Sequence, residues 1–469
     1  MTVLVVEHNA GEGPYAVADA LLRAGLEVRY CRTSAGDEVP DTIPDGTEAL
    51  VLLGGPQDAW SDQGFPSRRA ELALLRAALA ADLPVLGICL GAQLLAEAAD
   101  GGARQGEAGT ELGWEPVRLT AAAAGDPLFG GSPQDAEYRV LQWHSDTMAL
   151  PAGAVLLATR ERYPVQAFRV GGAAWGLQFH LEAQLETVRV FAGQLDRDGR
   201  GGEAAALLTD APERLARLAA WRDAVLDRFA ALVAARAGHS RTRTFFTPRA
   251  AGWEARFPDD GPRYRSAVAA LELTPGQAVL DAGCGTGRAL PDLRAAVGAA
   301  GTVLGADLTP AMLHTAAAKG RTAAAALLVA DCARLPLPDQ AVDAVFAAGL
   351  VSHLPDPAQA LAELARVTRP GGRIALFHPI GRAALAARHG RRISPDDLRA
   401  EPRLRPLLTA AGWDLTHCTD RDDRYLALAT RQQPRRSADA GADAGADAGA
   451  DAGADAGADA GQGPTARQR

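Results

Sequence analysis

The first part of the chain alternates short apolar runs with stretches of helical spacing. Residues 3–6 form an apolar run that predicts a strand, residues 15–24 carry helical spacing until Gly25 stops it, and residues 26–31 alternate as a second strand. The chain thus opens strand, helix, strand. A third run, 49–53, leads into Gly54-Gly55-Pro56; a helical stretch over 67–81 then precedes the run 83–88, which ends at Cys89 before the helical pattern 92–99. Such alternation predicts a parallel sheet covered on both faces, and in these sheets sites gather at the carboxyl ends of strands. Gly55 and Cys89 both fall there.

Residues 184–237 are helical in pattern, notably 211–235, where Leu215, Leu218, Trp221, Val225, Phe229 and Leu232 recur at spacings of three and four. This predicts a helical hairpin that finishes a first domain. The stretch GHSRTRTFFTPR, 238–249, interrupts the periodicity and reads as a solvated linker. A second series follows: a strand from 278 running into Gly283, Gly285 and Gly287, then strands over 302–306, 343–347 and 373–377. Segments 413–418 and 425–430 form a closing hairpin around DRDDR. The expected fold is α/β with two doubly wound domains, 1–237 and 248–432, joined by a linker over 238–247. In the remainder, 433–469, the stretch 437–461 repeats ADAG with no aromatic or branched side chain to bury, and this end is expected to be a disordered acidic tail.

Composition narrows the class. A chain of 469 residues is long enough for separate cores, and a net charge of −9 argues against a general nucleic-acid or anionic-membrane binder. No window approaches the roughly 18 apolar residues of a membrane helix. The cysteines at 31, 89, 284, 332 and 418 form no CxxC pair and no metal-ligand spacing, so a reduced, cytoplasmic protein without a bound metal is expected.

The candidate chemistry begins at PVLGICLGAQ, 84–93, which reads as strand, tight turn and helix with cysteine at the apex. Such an elbow holds its nucleophile in a strained conformation above a helix N-terminus, which favours the thiolate and leaves backbone N–H groups to receive an oxyanion. The partner a thiol needs is a histidine oriented by a carboxylate. AAWGLQFHLEA, 173–183, supplies His180 and Glu182, read as two residues apart on one face at a strand's end.

Taken together, LGGP at 53–56, GICLGAQ at 87–93 and FHLE at 179–182 resemble the class I (triad) glutamine amidotransferases, in the stand-alone, GMP-synthase-like branch, over roughly the first 235 residues. The resemblance implies Cys89 as nucleophile, His180 as general base and Glu182 as its orienting partner. It implies N–H groups of Gly55 and Leu90 as the oxyanion hole, Gln93 at the glutamine, and His144 and Asp146 of LQWHSD gripping the α-amino group. Leu181 stands where that family usually has proline.

In the second half, the glycine turn after an acidic residue, AVLDAGCGTG, is followed by Asp307 at the end of a strand and Asp331 in LLVADCARLPLPD. With ARVTRPGG at 365–372, these resemble the class I S-adenosylmethionine-dependent methyltransferases over roughly 248–430. The resemblance implies a Rossmann-like sheet with a C-terminal antiparallel hairpin. It places Asp281, Gly283, Gly285 and Gly287 against the methionine part, Asp307 on the ribose, Asp331 and Cys332 beside adenine, and His353 at the methyl acceptor. NAD binding is the alternative for a glycine turn, but GxGxG after an acidic residue fits it poorly.

The function implied is bifunctional: hydrolysis of a glutamine or γ-glutamyl amide, and methylation of a small molecule with S-adenosylmethionine as cofactor. The alternative is a γ-glutamyl hydrolase joined to a methyltransferase fold that only binds cofactor or regulates. Lys319 is the only lysine, so no GxxxxGK[ST] phosphate loop exists, and any ammonia acceptor would be activated by a separate synthetase.

Overall fold

The computed structural model describes residues 2–433 apart from 134, 135, 257 and 395. The expected ADAG tail lies outside the described residues. The first eleven strands are β1 (Thr2–Glu7), β2 (Glu27–Arg32), β3 (Thr47–Leu52), β4 (Val85–Ile88), β5 (Ala103–Gln105), β6 (Glu111–Leu119), β7 (Glu137–His144), β8 (Asp146–Met148), β9 (Val155–Thr159), β10 (Ala167–Val170) and β11 (Ala174–Leu177). Nine of them form one sheet in the order β2-β1-β3-β4-β11-β10-β9-β6-β7, while β5 pairs with β8. The pairs from β2 through β11 are parallel, and those from β11 to β7 antiparallel.

Side-chain alternation splits the core. Val3 and Val5 of β1 join the apolar cluster on one face; Leu4 and Val6 join the cluster on the other. All six residues of β3 are buried, as a strand covered by helices on both sides must be. Helices α1 (Tyr15–Arg23), α2 (Arg68–Ala80) and α3 (Leu90–Ala98) make the crossovers, and α4 (Leu185–Arg197) and α5 (Gly201–Leu208) follow the sheet. Among the described residues no helix is long and apolar enough to cross a membrane.

The last helix of this half departs from expectation. Helix α6 runs Ala211–Phe246, 36 residues without a break, a length of about 54 Å. Residues 238–246 are therefore helical and not an irregular linker. Its first part packs Leu218, Trp221, Val225, Phe229 and Val233 into the core of the first sheet. Its last turns contain Gly238, His239, Ser240 and Thr242, poor helix formers, but tertiary contacts on both sides hold them. Ser240 Oγ donates to Glu48 Oε2 of β3 at 3.0 Å, and Arg243 Nε donates to the Leu308 carbonyl at 3.2 Å. Gly238 is buried where Pro355 crosses the helix; a Cβ there would sit 2.6 Å from the proline Cγ. The glycine that reads as a breaker serves a close approach.

The second sheet contains β12 (Ala278–Ala282), β13 (Thr302–Asp307), β14 (Ala326–Val329), β15 (Val342–Ala348), β16 (Thr368–His378), β17 (Trp413–Arg421) and β18 (Arg424–Arg431). Their order is β14-β13-β12-β15-β16-β18-β17, parallel as far as β16 and closed by the antiparallel β17–β18 hairpin. The chain is thus α/β with two doubly wound sheets. The strand order reverses beside β12, which puts its carboxyl end at the crevice where such sheets bind ligands.

Candidate functional site

Cys89 lies between β4 and α3 with φ 52° and ψ −107°, a left-handed conformation that a non-glycine residue holds only under local compulsion. The compulsion is packing. A Cβ on Gly87 would meet the Gly91 carbonyl oxygen at 2.4 Å, and one on Gly91 would meet the Leu52 carbonyl oxygen at 2.1 Å, so α3 starts pressed against β3 and β4. The thiol is turned toward the Trp143 carbonyl, 3.6 Å from Sγ, and Gln178 Nε2 lies 3.9 Å away.

His180 Nδ1 and Glu182 Oε1 are 2.7 Å apart, both side chains buried, and Cys89 is close enough to act on the imidazole electrostatically. Burial pushes the His180 pKa down, but the Glu182 carboxylate and the Cys89 sulfur outweigh it and hold it well above the ordinary value. The local backbone differs from expectation: β11 ends at Leu177, His180 makes only an isolated bridge with Leu141, and Glu182 sits in the turn beyond. The pair meets by a turn, not by strand alternation. Leu181 is fully buried in the first core and anchors that turn.

Gly55 is packed alongside Leu90, whose Cδ2 would lie 3.0 Å from an added Cβ. Three neighbours escaped the sequence reading. Gly54 faces His180 Cε1 at 3.0 Å and Cys89 Cβ at 3.6 Å from the position a Cβ would take, so any larger residue would crowd these two side chains. His8 spans from the Gly54 carbonyl (3.3 Å) to Glu71 (2.8 Å), fixing the glycine loop from behind. Glu12 places Oε2 2.8 Å from the same Gly54 Cβ position, at the mouth of the site. Gly54 lies within LGGP but was given no role there, while His8 and Glu12 lie outside the quoted motifs, and only their approach in space marks them.

The other expected residues divide. Gln93 Nε2 donates to the Asp146 carbonyl (3.1 Å) and to Gln178 Oε1 (3.3 Å). His144 places Nδ1 on that same carbonyl at 2.8 Å and Nε2 on Glu111 at 3.1 Å. Both ring nitrogens of His144 are engaged in the interior, so it holds the Asp146 loop and does not reach a ligand. Asp146 itself is half-buried at the rim, its Oδ2 accepting from Trp60 Nε1 at 2.8 Å. Burial first, and then Asp58, raise its pKa against the lowering effect of Trp60 and His144.

A cavity of about 910 Å³ opens at the carboxyl ends of β12, β13 and β15. Gly283, Gly285 and Gly287 turn beneath it with φ of 67°, 54° and 76°, and a Cβ on Gly285 would meet nothing within 4 Å. Asp281 lines the cavity with its Oδ1 buried and without a hydrogen-bond partner among the described residues. Burial, reinforced by Asp307, raises its pKa to about 8. Asp307 accepts from the Gly285 N–H at Oδ2 and the Thr309 N–H at Oδ1, both 2.8 Å; burial raises its pKa more than these bonds lower it.

Asp331 accepts from Ala333 N–H at 2.9 Å and pairs with His239 Nε2 at 2.8 Å, which overcomes burial and keeps its pKa below the usual carboxylate value. Burial and Asp307 push the Cys332 thiol up to about 12, so it lines the wall as a neutral group. His353 packs against Phe245 and Phe246 of α6, with ring centroids 6.4 and 5.1 Å away. The enclosing walls, and then the Arg399 guanidinium, hold its pKa below the ordinary value. His378 and Pro379 line the same space.

Comparison with known proteins agrees with this division. A family profile described as glutamine amidotransferase class-I matches residues 10–190, and one described as methyltransferase domain matches 280–376. The glutamine amidotransferase-like protein YfeJ of Salmonella typhimurium is 33% identical over 193 residues, 40% of this chain and 78% of that protein. GMP synthase (glutamine-hydrolyzing) of Porphyromonas gingivalis is 34% identical over 155 residues, covering 33% of this chain and 28% of the synthase. Malonyl-[acyl-carrier protein] O-methyltransferase of Serratia marcescens is 44% identical over 111 residues, 24% of this chain and 41% of that enzyme. The chain thus spans under half of the latter two relatives. It belongs to the class-I glutamine amidotransferase family and carries, in addition, a methyltransferase domain. It is a two-domain enzyme.

Proposed function

We propose that residues 1–237 hydrolyse the side-chain amide of glutamine or a γ-glutamyl compound through Cys89, His180 and Glu182, and that residues 248–432 methylate a small molecule. The observation that carries the first reading is the strained Cys89 beside His180, both within 3.6 Å of one point at Gly54, with the histidine oriented by the buried Glu182 carboxylate. In this reading the Cys89 thiolate attacks the amide carbon, and the N–H groups of Gly55 and Leu90 donate to the oxyanion. His180 protonates the departing ammonia and then, as base, takes a proton from the water that cleaves the thioester. Asp146 at the rim meets the substrate's amino group, while Gln93 and His144 hold its backbone in place.

The second site fits S-adenosylmethionine. The glycine cradle admits a ligand against the backbone, the unpartnered Asp281 oxygen awaits a cationic group, and Asp307 and Asp331 keep acceptor lone pairs for ribose and adenine, with Cys332 as the apolar wall. When bound, this cofactor supplies an electrophilic methyl group on its sulfonium. His353, neutral because its pKa is lowered, takes the proton from the acceptor.

The chain has no phosphate loop of the GxxxxGK[ST] form, so ammonia leaves for a separate synthetase or is a by-product of γ-glutamyl hydrolysis. The similarity to part of a GMP synthase supports the former. The test is turnover of glutamine and a panel of γ-glutamyl amides by the purified chain and by Cys89→Ala. A loss on the order of 10⁴-fold is expected in the variant; equal turnover by both would overturn the reading. Fast turnover of a γ-glutamyl amide without partner selects the hydrolase.

A further inference from the structure

Helix α6 leaves the first core and ends over the second site. Its last three turns touch the segments that follow both cofactor-facing carboxylates. Arg243 binds the carbonyl of Leu308, next to Asp307, and His239 Nε2 stands 2.8 Å from Asp331 Oδ2. His239 and Thr242 line the cavity beside the adenine end; Phe245 and Phe246 wall its other end against His353. The His239 and Asp331 side chains are 27% and 25% exposed, enough to be reached from the cavity yet mostly shielded from water.

From this we propose that the methyltransferase cofactor site is composite: the helix that closes the amidotransferase core supplies His239 as the positioning residue for Asp331. The inference rests on the S-adenosylmethionine reading above. Asp331 can turn about its side-chain torsions, and the 6-amino group of adenine requires an acceptor at a fixed place. Ala333 N–H occupies Oδ1 and His239 occupies one lone pair of Oδ2, so the carboxylate is held in one orientation with a second Oδ2 lone pair left for the base. Ordering the acceptor before the ligand arrives removes a cost from binding. Gly238 is the structural condition, because it lets Pro355 press against the helix and seat the neighbouring histidine over the cavity.

The experiment measures binding of S-adenosylhomocysteine, and of its analogue with a 6-oxo base in place of the 6-amino group, to the full chain by calorimetry. The unmodified chain is expected to prefer the amino form. His239→Ala should weaken the amino ligand about tenfold, the scale of one hydrogen bond to a charged group, and leave the 6-oxo ligand unchanged, so that discrimination collapses. His239→Gln, which keeps an N–H donor, should restore discrimination. An unchanged dissociation constant in His239→Ala, or an equal loss for both ligands, would overturn the positioning role. Failure of the unmodified chain to bind either ligand would overturn the cofactor reading itself, and is told apart by needing no variant.

Discussion

Asp281 is the residue whose chemistry depends most on its surroundings. Buried at the end of β12 beside Asp307, its carboxyl keeps a proton to about pH 8 in the folded chain, whereas the unfolded chain releases it near the ordinary carboxylate pKa. A group raised in this way stabilises the fold below its ordinary pKa and loses that contribution as pH climbs toward 8. A cationic ligand beside the carboxylate reverses the preference. Binding of S-adenosylmethionine near neutral pH is therefore expected to release a proton from Asp281. Calorimetry in buffers of different ionisation enthalpy would show the release, and a buffer-independent enthalpy would mean that no cation meets Asp281.

At the scale of elements, the position of Cys89 is set by how closely α3 approaches two strands. Gly87 and Gly91 leave no room for a side chain, since the atoms in the way belong to the backbone. Gly91→Ala should therefore move the whole helix start. We expect a loss of about 3 kcal/mol in denaturant unfolding, as for overpacking, together with loss of amide hydrolysis. Stability unchanged from the parent would show that the elbow has slack. Helix α6 is the opposite case, where contacts with Glu48, Pro355, Asp331 and Leu308 keep weak helix formers helical.

At the scale of the molecule, the two sites sit in different apolar cores, and α6 runs from the first core to the wall of the second cavity. The Cys89 thiol belongs to the first core, while Leu280, Ala306 and Cys332 belong to another. Removing the thiol should leave the second site untouched. Cys89→Ala is expected to bind S-adenosylhomocysteine with the parent's affinity in a calorimetric titration, and a loss of binding would mean that α6 transmits the state of the first site.

What the sequence determined by itself is local: strand-helix alternation, the cysteine at a strand-to-helix junction, the glycine turn after Asp281, and acidic residues at successive strand ends. These follow from periodicity and from residues whose backbone freedom or chemistry is intrinsic. Tertiary structure decided the rest. It turned His180 and Glu182 toward Cys89 through a bend past β11, spent His144 on Glu111, brought Gly54 beside Cys89 and His180 with His8 behind it, and carried α6 through Gly238 to Asp331. The physical reason is that a helix end or a histidine's partner is fixed by which surfaces bury against it, and burial depends on residues far away in the chain.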